Sequence, residues 1–221
     1  MTGQTAAAAQ PVGRAPGDLA TLQAFVNTLD IEQATEELGS PQALASWLLT
    51  AGLLDPAGAR VIPAEGATPA HHAAPATDAD LEMALELREA LRGVLRSHVA
   101  PLSAADAPGA SAPRDRAGPL AGLRRISAGL PTRLEVTADG RIELAAGGSG
   151  IAAALARILL IAADAATLGI WSRLKVCSAD DCQWAFYDRS PTRNGCWCSM
   201  RICGSRAKSR AYRRRTAAPS S

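Results

Sequence analysis

All five cysteines of this 221-residue chain fall between positions 177 and 203. Cysteines grouped in this way cannot staple distant parts of a fold, so they must form one local site. Cys177 and Cys182 are separated by four residues, Cys198 and Cys203 likewise, and fifteen residues lie between the two pairs. Two equal knuckles offer four thiolates, the donor set of tetrahedral zinc. A closed all-thiolate shell is structural, because no position remains for water or substrate. The segment is too short to fold on its apolar burial alone. One structural zinc ion, held by Cys177, Cys182, Cys198 and Cys203, is therefore expected to supply much of its folding free energy. Cys196 is left over. It could replace Cys198, with unequal knuckles as the result, or act as an oxidation-sensitive thiol beside the metal.

Charge divides the chain at nearly the same place. Residues 1–172 carry 12 Lys and Arg against 18 Asp and Glu, whereas residues 173–221 carry 11 against 3. An acidic body with a basic end implies two parts with different partners. From Ser205 to Arg215 there is no proline, and the Ala and Arg that dominate favour helix. On such a helix Arg206, Arg210 and Arg213 share one face, with Arg214 at its edge and Lys208 and Arg215 on the far side. Arg206, Lys208, Arg210, Arg213 and Arg214 are the candidate nucleic-acid contacts. Guanidinium groups suit phosphate and grip guanine in two places at once. The alternative is a solvated tail that only aids solubility.

Ahead of this end, 48% hydrophobic residues overall allow a buried core. The few aromatics, 4%, argue against an aromatic-lined carbohydrate surface. Residues 1–16 read as a disordered leader rich in Ala, Gln and Pro. Leu22, Phe25, Val26 and Leu29 recur at helical spacing over 18–29. Ser40 as N-cap, Pro41 at the first position and Gly52 past the end bracket a second helix, with Leu44, Trp47 and Leu48 inward. Thr77 and Asp80 form a box-like cap for a third, running to about His98 with Leu81, Leu85, Leu87, Leu91 and Leu95 inward. Residues 55–77 and 100–118 read as Pro/Ala/Gly loops. Residues 133–136 and 141–144, joined through Asp139-Gly140, read as a hairpin. The apolar run Ile151–Ile170 contains Arg157 and Asp164, which makes a bilayer span costly and points to a buried helix. Met1 to Gln10 has neither a basic nor an apolar signal region, so a cytoplasmic protein is expected. There clustered cysteines more often hold metal than pair. The expected fold is mainly α with a short β-hairpin: a helical domain over 17–172, a four-cysteine zinc module ending in a basic helix over 173–215, and a disordered tail over 216–221.

Several smaller motifs carry weaker signals. Asn27 and Thr28 interrupt an apolar helix face. They either line a small-molecule pocket or bond to backbone and brace the helix end. Asp188, Arg189 and Ser190 form a polar turn in which an Asp–Arg pair or cap is expected. Trp184 and Trp197 are expected to shield the metal, and Phe186 and Tyr187 to fill the small core. His98 suits a helix C-terminus, and His71 and His72 are expected to be inert. Gly147-Gly148-Ser149-Gly150 reads as a linker, since no Lys follows to complete an anion site.

The segment Cys177-Ser178-Ala179-Asp180-Asp181-Cys182, with Trp184, Phe186, Asp188, Arg189 and Ser190, then Trp197-Cys198-Ser199-Met200 and Cys203-Gly204-Ser205-Arg206-Ala207-Lys208, resembles the CGNR zinc-finger family of bacterial proteins. Phe25-Val26-Asn27-Thr28-Leu29, Ser40-Pro41 through Leu44, Trp47-Leu48, Gly52-Leu53-Leu54 and Leu87 to Arg92 are similar to the ABATE domain that usually precedes that finger. The resemblance covers about residues 18–215. It implies a stress-induced transcription regulator whose zinc module contacts DNA, with zinc on the same four cysteines. The sequence departs from the pattern in three places. Ser205 stands where the family has Asn, Gly195-Cys196 where it has Arg before the Trp, and Ala24 where it has Asp before the Phe.

The reading that follows is a DNA-binding regulator with zinc as its one cofactor. A small-molecule effector of the N-terminal domain and a homo-oligomer remain open, and no membrane is involved. An RNA-binding protein and a zinc/thiol redox sensor using Cys196 are the alternatives. No carboxylate pair, nucleophile–base pattern or phosphate-cradling loop supports an enzyme. Cys177→Ser or Cys203→Ser is expected to unfold only the C-terminal part.

Overall fold

The structure is a computed structural model and describes residues 13–54, 75–99 and 117–217. Among the described residues there are six α-helices and three two-stranded antiparallel sheets. The order is α1 (Leu19–Val26), β1 (Leu29–Asp30), β2 (Thr35–Glu36), α2 (Pro41–Thr50), α3 (Asp78–Arg96), α4 (Ala117–Gly129), β3 (Thr132–Val136), β4 (Ile142–Ala146), α5 (Gly150–Thr167), β5 (Leu174–Val176), β6 (Ala185–Tyr187) and α6 (Ser205–Ala217). A 3₁₀ turn, Trp171–Arg173, precedes β5, and a π turn, Met200–Gly204, leads directly into α6.

The helices with clear end signals form where expected. Ser40 Oγ accepts the Ala43 N–H at 3.1 Å, and Pro41 opens α2. Thr77 and Asp80 complete a reciprocal capping box at α3. Leu22, Phe25, Val26, Leu44, Leu48, Leu87, Leu91, Leu95, Leu155 and Ile158 meet in one core, to which α1, α3 and α5 contribute jointly while α2 packs on α3. Trp47 lies at its edge, its ring 5.6 Å from that of Phe25. Leu29 departs from the expected first helix. Asn27 caps that helix, and Leu29 begins β1 instead.

α5 is the one helix among the described residues long and apolar enough to suit a bilayer. One of its faces, including Ile151, Ala154, Leu155 and Ile158, packs in the core. Its Arg157 donates to the Leu53 carbonyl at 2.5 Å, just past the end of α2.

Three expectations are corrected. Residues 13–16 are packed and not part of a leader. Gly13 O accepts the Tyr187 N–H at 2.7 Å, and the Ala15 N–H donates to Gln23 Oε1 at 2.7 Å. Gly13 has φ +118°, and a Cβ there would lie 2.8 Å from Tyr187 O, so only glycine fits. Residues 117–118 are helical, as the start of α4. This helix packs on α3 through small residues, while its Leu123 and Ile126 and the following Leu130 reach the core. A Cβ on Gly93 would strike the Pro119 ring at 2.4 Å, and one on Gly122 would touch Ala90 at 3.4 Å. Finally, His98 lies beyond the end of α3, with Nδ1 2.8 Å from Leu174 O and its ring edge-on to Trp171. Residues 55–74 and 100–116 of the two expected loops, with His71 and His72, and residues 1–12 and 218–221 lie outside the described residues.

The zinc-binding end is not a separate bead. Leu174, Val176 and Ala185, from β5 and β6, belong to the main core, whereas Phe186 faces the cysteines. The hairpin thus has one side in each part of the molecule.

Candidate metal centre and nucleic-acid interface

The hairpin β5–β6 builds the first knuckle. Its register pairs Leu174 with Tyr187 and Val176 with Ala185, which carries Cys177 and Cys182 into the turn beyond the last pair. The Cys177 N–H donates to Trp184 O at 3.0 Å, and the Cys182 and Gln183 N–H groups both reach Ala179 O at 3.0 Å. Gln183 takes a left-handed φ of +51° to make that turn. The second knuckle is joined to the first by the Ser178 N–H, which donates to Cys196 O at 2.9 Å. Cys198 then precedes Ser199, whose Oγ accepts the Ile202 N–H at 3.3 Å and caps the π turn that ends on Cys203 and Gly204.

The four ligands expected from spacing therefore converge. The Sγ atoms of Cys177, Cys182, Cys198 and Cys203 all lie within 4.8 Å of one another, and all four residues are buried. Cys198 Sγ is 3.7 Å from both Cys182 Sγ and Cys203 Sγ. A regular tetrahedron with Zn–S bonds of about 2.3 Å has edges of roughly 3.8 Å, so the cage fits zinc. Cys196 does not join the cluster; it is half-buried beside it. Crowding divides the thiols. Contacts with Cys182 and Cys198 pull Cys177 well below the ordinary thiol range, while contact with Cys177 holds the protons on Cys198 and Cys182. Burial raises Cys203. These four thiols would hold a divalent cation, whose charge would favour their deprotonated form. Trp184 and Trp197 pack against the cluster as half-buried shields.

Between the knuckles the chain is fixed by a pair not expected from sequence. Asp188 bonds to Lys175 and not to its neighbour Arg189. Its Oδ2 takes Lys175 Nζ at 2.8 Å and the Gly195 N–H at 2.8 Å, and its Oδ1 takes the Ser190 N–H at 2.9 Å. Burial pushes this carboxyl up, but Lys175 and the two amides outweigh it and hold the group at about 2. Lys175 also donates to Arg193 O and Gly195 O. Arg189 instead lies over the Tyr187 ring and donates to Arg14 O at 2.9 Å.

Asn27 and Thr28 lie at the junction with the helical domain, both buried. Asn27 pairs with Ala185 as a strand would: its Nδ2 donates to Ala185 O at 3.0 Å and its Oδ1 accepts the Ala185 N–H at 2.8 Å. Thr28 Oγ1 donates to Phe25 O and accepts from Arg88. Gln23 Nε2 donates to Ala185 O as well, and Arg92 donates to Gln183 O, Val26 O and Leu29 O. Arg96 reaches Gln183 Oε1 and Asp180. The Asn-Thr pair thus braces the first knuckle against α1 and α3, which is its backbone-bonding reading. Arg88, which bonds Thr28, and Arg92 and Arg96, which bond the first knuckle, follow one another at four-residue spacing on α3, a periodicity readable in sequence only once their targets are known.

α6 rises from the second knuckle with no break. Ser205 is already helical, and its Oγ donates to Met200 O at 3.2 Å, while Ser199 caps the π turn that leads into α6. Ala207 and Ala211 are buried against the protein, while Arg206, Lys208, Arg213 and Arg214 are exposed and Arg210 is half-buried. Arg206, Arg210 and Arg213 line one shallow recess with Arg201, Ser205 and Ser209. Two of these cations are engaged: Arg206 with Glu32 at 2.5 Å and Arg210 with Asp181 at 3.5 Å. Lys208, Arg213 and Arg214 make no ion pair among the described residues.

Comparison with known protein families gives two matches. Residues 19–169 match the ABATE family model, described as "Putative stress-induced transcription regulator". Residues 173–216 match the CGNR zinc finger. No curated protein matches the chain.

Proposed function

This chain belongs to the ABATE family and carries a CGNR zinc finger, and from that premise we propose that it is a cytoplasmic, stress-responsive transcription regulator, not an enzyme, that binds duplex DNA through α6. One observation carries the reading: a cation-rich helix continues directly from a turn whose last ligand, Cys203, belongs to the four-thiolate cage. Zinc supplies rigidity there, fixing the direction of the helix before any DNA arrives. Arg206, Lys208, Arg210, Arg213 and Arg214 then present guanidinium and ammonium groups along it, for phosphate contacts and for guanine edges in the major groove. The helical domain would transmit a signal to this module through the buried bonds from Gln23, Asn27 and Arg92.

The test is binding of the zinc-loaded protein to duplex from its own upstream region, with random duplex and single-stranded RNA beside it across a salt series. The upstream duplex is expected to bind most tightly. Lys208→Ala with Arg213→Ala should weaken binding and lower the salt slope by about 1.8, since each phosphate contact contributes about 0.9. Equal binding of all three nucleic acids, released together at moderate salt, would reduce α6 to a charged patch. Preference for the single strand would favour the RNA reading.

A further inference from the structure

Two hollows adjoin beside the zinc module. The larger, about 800 Å³, lies between the β1–β2 turn and the two knuckles, a size ordinary for small-molecule sites. Trp184, Tyr187, Trp197 and Ile202 line its apolar side, and Asp30 and Glu32 stand on the side of the turn. Three of the four cage cysteines also border it, so the metal site fixes one wall. The Asp30 carboxylate is held in place by the Gln33 N–H, which donates to its Oδ1 at 2.9 Å. The smaller hollow is the recess on α6, where Arg206, Arg210 and Arg213 meet Arg201 and the Ser209 hydroxyl. The two are contiguous. Arg201 and Ile202 border both, and Glu32 of the first accepts from Arg206 of the second at 2.5 Å. The surface thus runs from aromatic rings, past carboxylates, to a group of guanidiniums.

We infer that the joined hollows bind a free nucleoside polyphosphate, with its base against Trp184 and Trp197, its ribose at Asp30 and Glu32 and its phosphates on the α6 recess. The order of the chemistry selects this ligand. A nucleobase stacks on an indole through its face, without needing a matched edge. Ribose hydroxyls donate to carboxylates, as they do in dinucleotide sites. Phosphate oxygens accept from guanidinium groups in pairs. Arg201 and Arg213 make no ion pair among the described residues, and the pairs of Arg206 and Arg210 are exposed. One phosphate would leave that positive charge unmatched, so two or more are required. Other ligands satisfy only part of the surface. An acyl chain would lie against two carboxylates, and a cationic peptide would meet the arginines. A duplex keeps its bases stacked and reaches the arginines alone. When the phosphates take Arg206, Glu32 is released to the ribose. On the DNA reading above, nucleotide and duplex compete for Arg206, Arg210 and Arg213. Nucleotide binding itself does not depend on that reading.

Isothermal titration calorimetry of the full zinc-loaded chain, with no DNA present, tests this. ATP and GTP are titrated beside inorganic tripolyphosphate, adenosine, guanosine and a single-stranded oligonucleotide. At least one of the two nucleotides should bind one per chain, roughly tenfold or more tighter than tripolyphosphate or its own nucleoside, since stacking of one base is worth about that much. Arg201→Ala with Arg213→Ala should weaken that binding by roughly tenfold or more, with zinc content and helical circular dichroism unchanged, because both side chains are exposed. Trp184→Leu with Trp197→Leu keeps an apolar cover on the cage and should abolish the advantage of the nucleotide over tripolyphosphate. Should this variant lose its zinc, the comparison of whole and truncated ligands on the wild-type chain still decides. Tripolyphosphate binding as tightly as both nucleotides would overturn the inference and leave a phosphate patch. So would binding of the oligonucleotide alone, or a folded variant of either kind that binds the nucleotide as wild type does.

Discussion

Lys175 and Asp188 show what a single pair contributes to the metal module. Both are buried, and the Asp188 carboxylate also receives the amides of Ser190 and Gly195. Removing one partner of a buried pair leaves an uncompensated charge, which costs about 3–5 kcal/mol, whereas replacing both is far milder. Lys175→Met should therefore destabilise the zinc-loaded protein by that amount in urea denaturation, and Lys175→Met with Asp188→Asn should recover part of it. An unchanged urea midpoint in the single variant would show the pair to be dispensable. Gly195 is bound to the same arrangement, since a Cβ would come within 2.9 Å of the carboxylate. Gly195→Ala should cost about 1–3 kcal/mol through overpacking. The ligand quartet was legible from sequence because knuckle spacing is nearly a covalent property. The Lys175–Asp188 pair was not. Thirteen positions separate its members, and the β5–β6 register, invisible in so short a segment, brings them together.

Among the elements, those with chemistry at their ends were readable: Ser40-Pro41 for α2, Thr77 and Asp80 for α3, Asp139-Gly140 for the hairpin β3–β4. α4 was not, because Pro119 and the glycines at 118, 122 and 129 mask the short apolar spacing of Leu123, Ile126 and Leu130. β5 and β6 were hidden among the cysteines, and their position alters an expectation. Leu174, Val176 and Ala185 lie in the core of the helical domain, and Ala185 is bonded to Gln23 and Asn27. Loss of the metal should therefore be felt beyond the C-terminal part, contrary to the independent unfolding anticipated for Cys177→Ser. Zinc removal by a strong chelator should lower the melting temperature of the helical domain and expose α1 to protease together with the knuckles. Two separate transitions, the first confined to residues beyond 173, would show that the hairpin stays docked without its metal.

At the scale of the whole molecule, the acidic body and the basic end are not simply adjacent. They touch through Glu32 with Arg206, and within the basic end Asp181 pairs with Arg210; the same two arginines line the recess on the exposed side of α6. Exposed pairs of this kind add at most about 1 kcal/mol to stability, so their consequence lies in binding. A phosphate that takes Arg206 or Arg210 must displace a carboxylate, and the surrounding negative charge opposes the approach of any polyanion. The carboxylates thus set a threshold that non-specific duplex fails to cross more often than a site that also satisfies base contacts. Glu32→Gln with Asp181→Asn should leave folding and zinc content unchanged and tighten binding to random duplex more than to the preferred sequence. The salt slope should rise by up to about 1.8 if both arginines then take phosphates. Equal tightening on every duplex would mean that the acidic residues adjust affinity without adjusting choice. No change at all would place Arg206 and Arg210 outside the contact surface and leave binding to Lys208, Arg213 and Arg214.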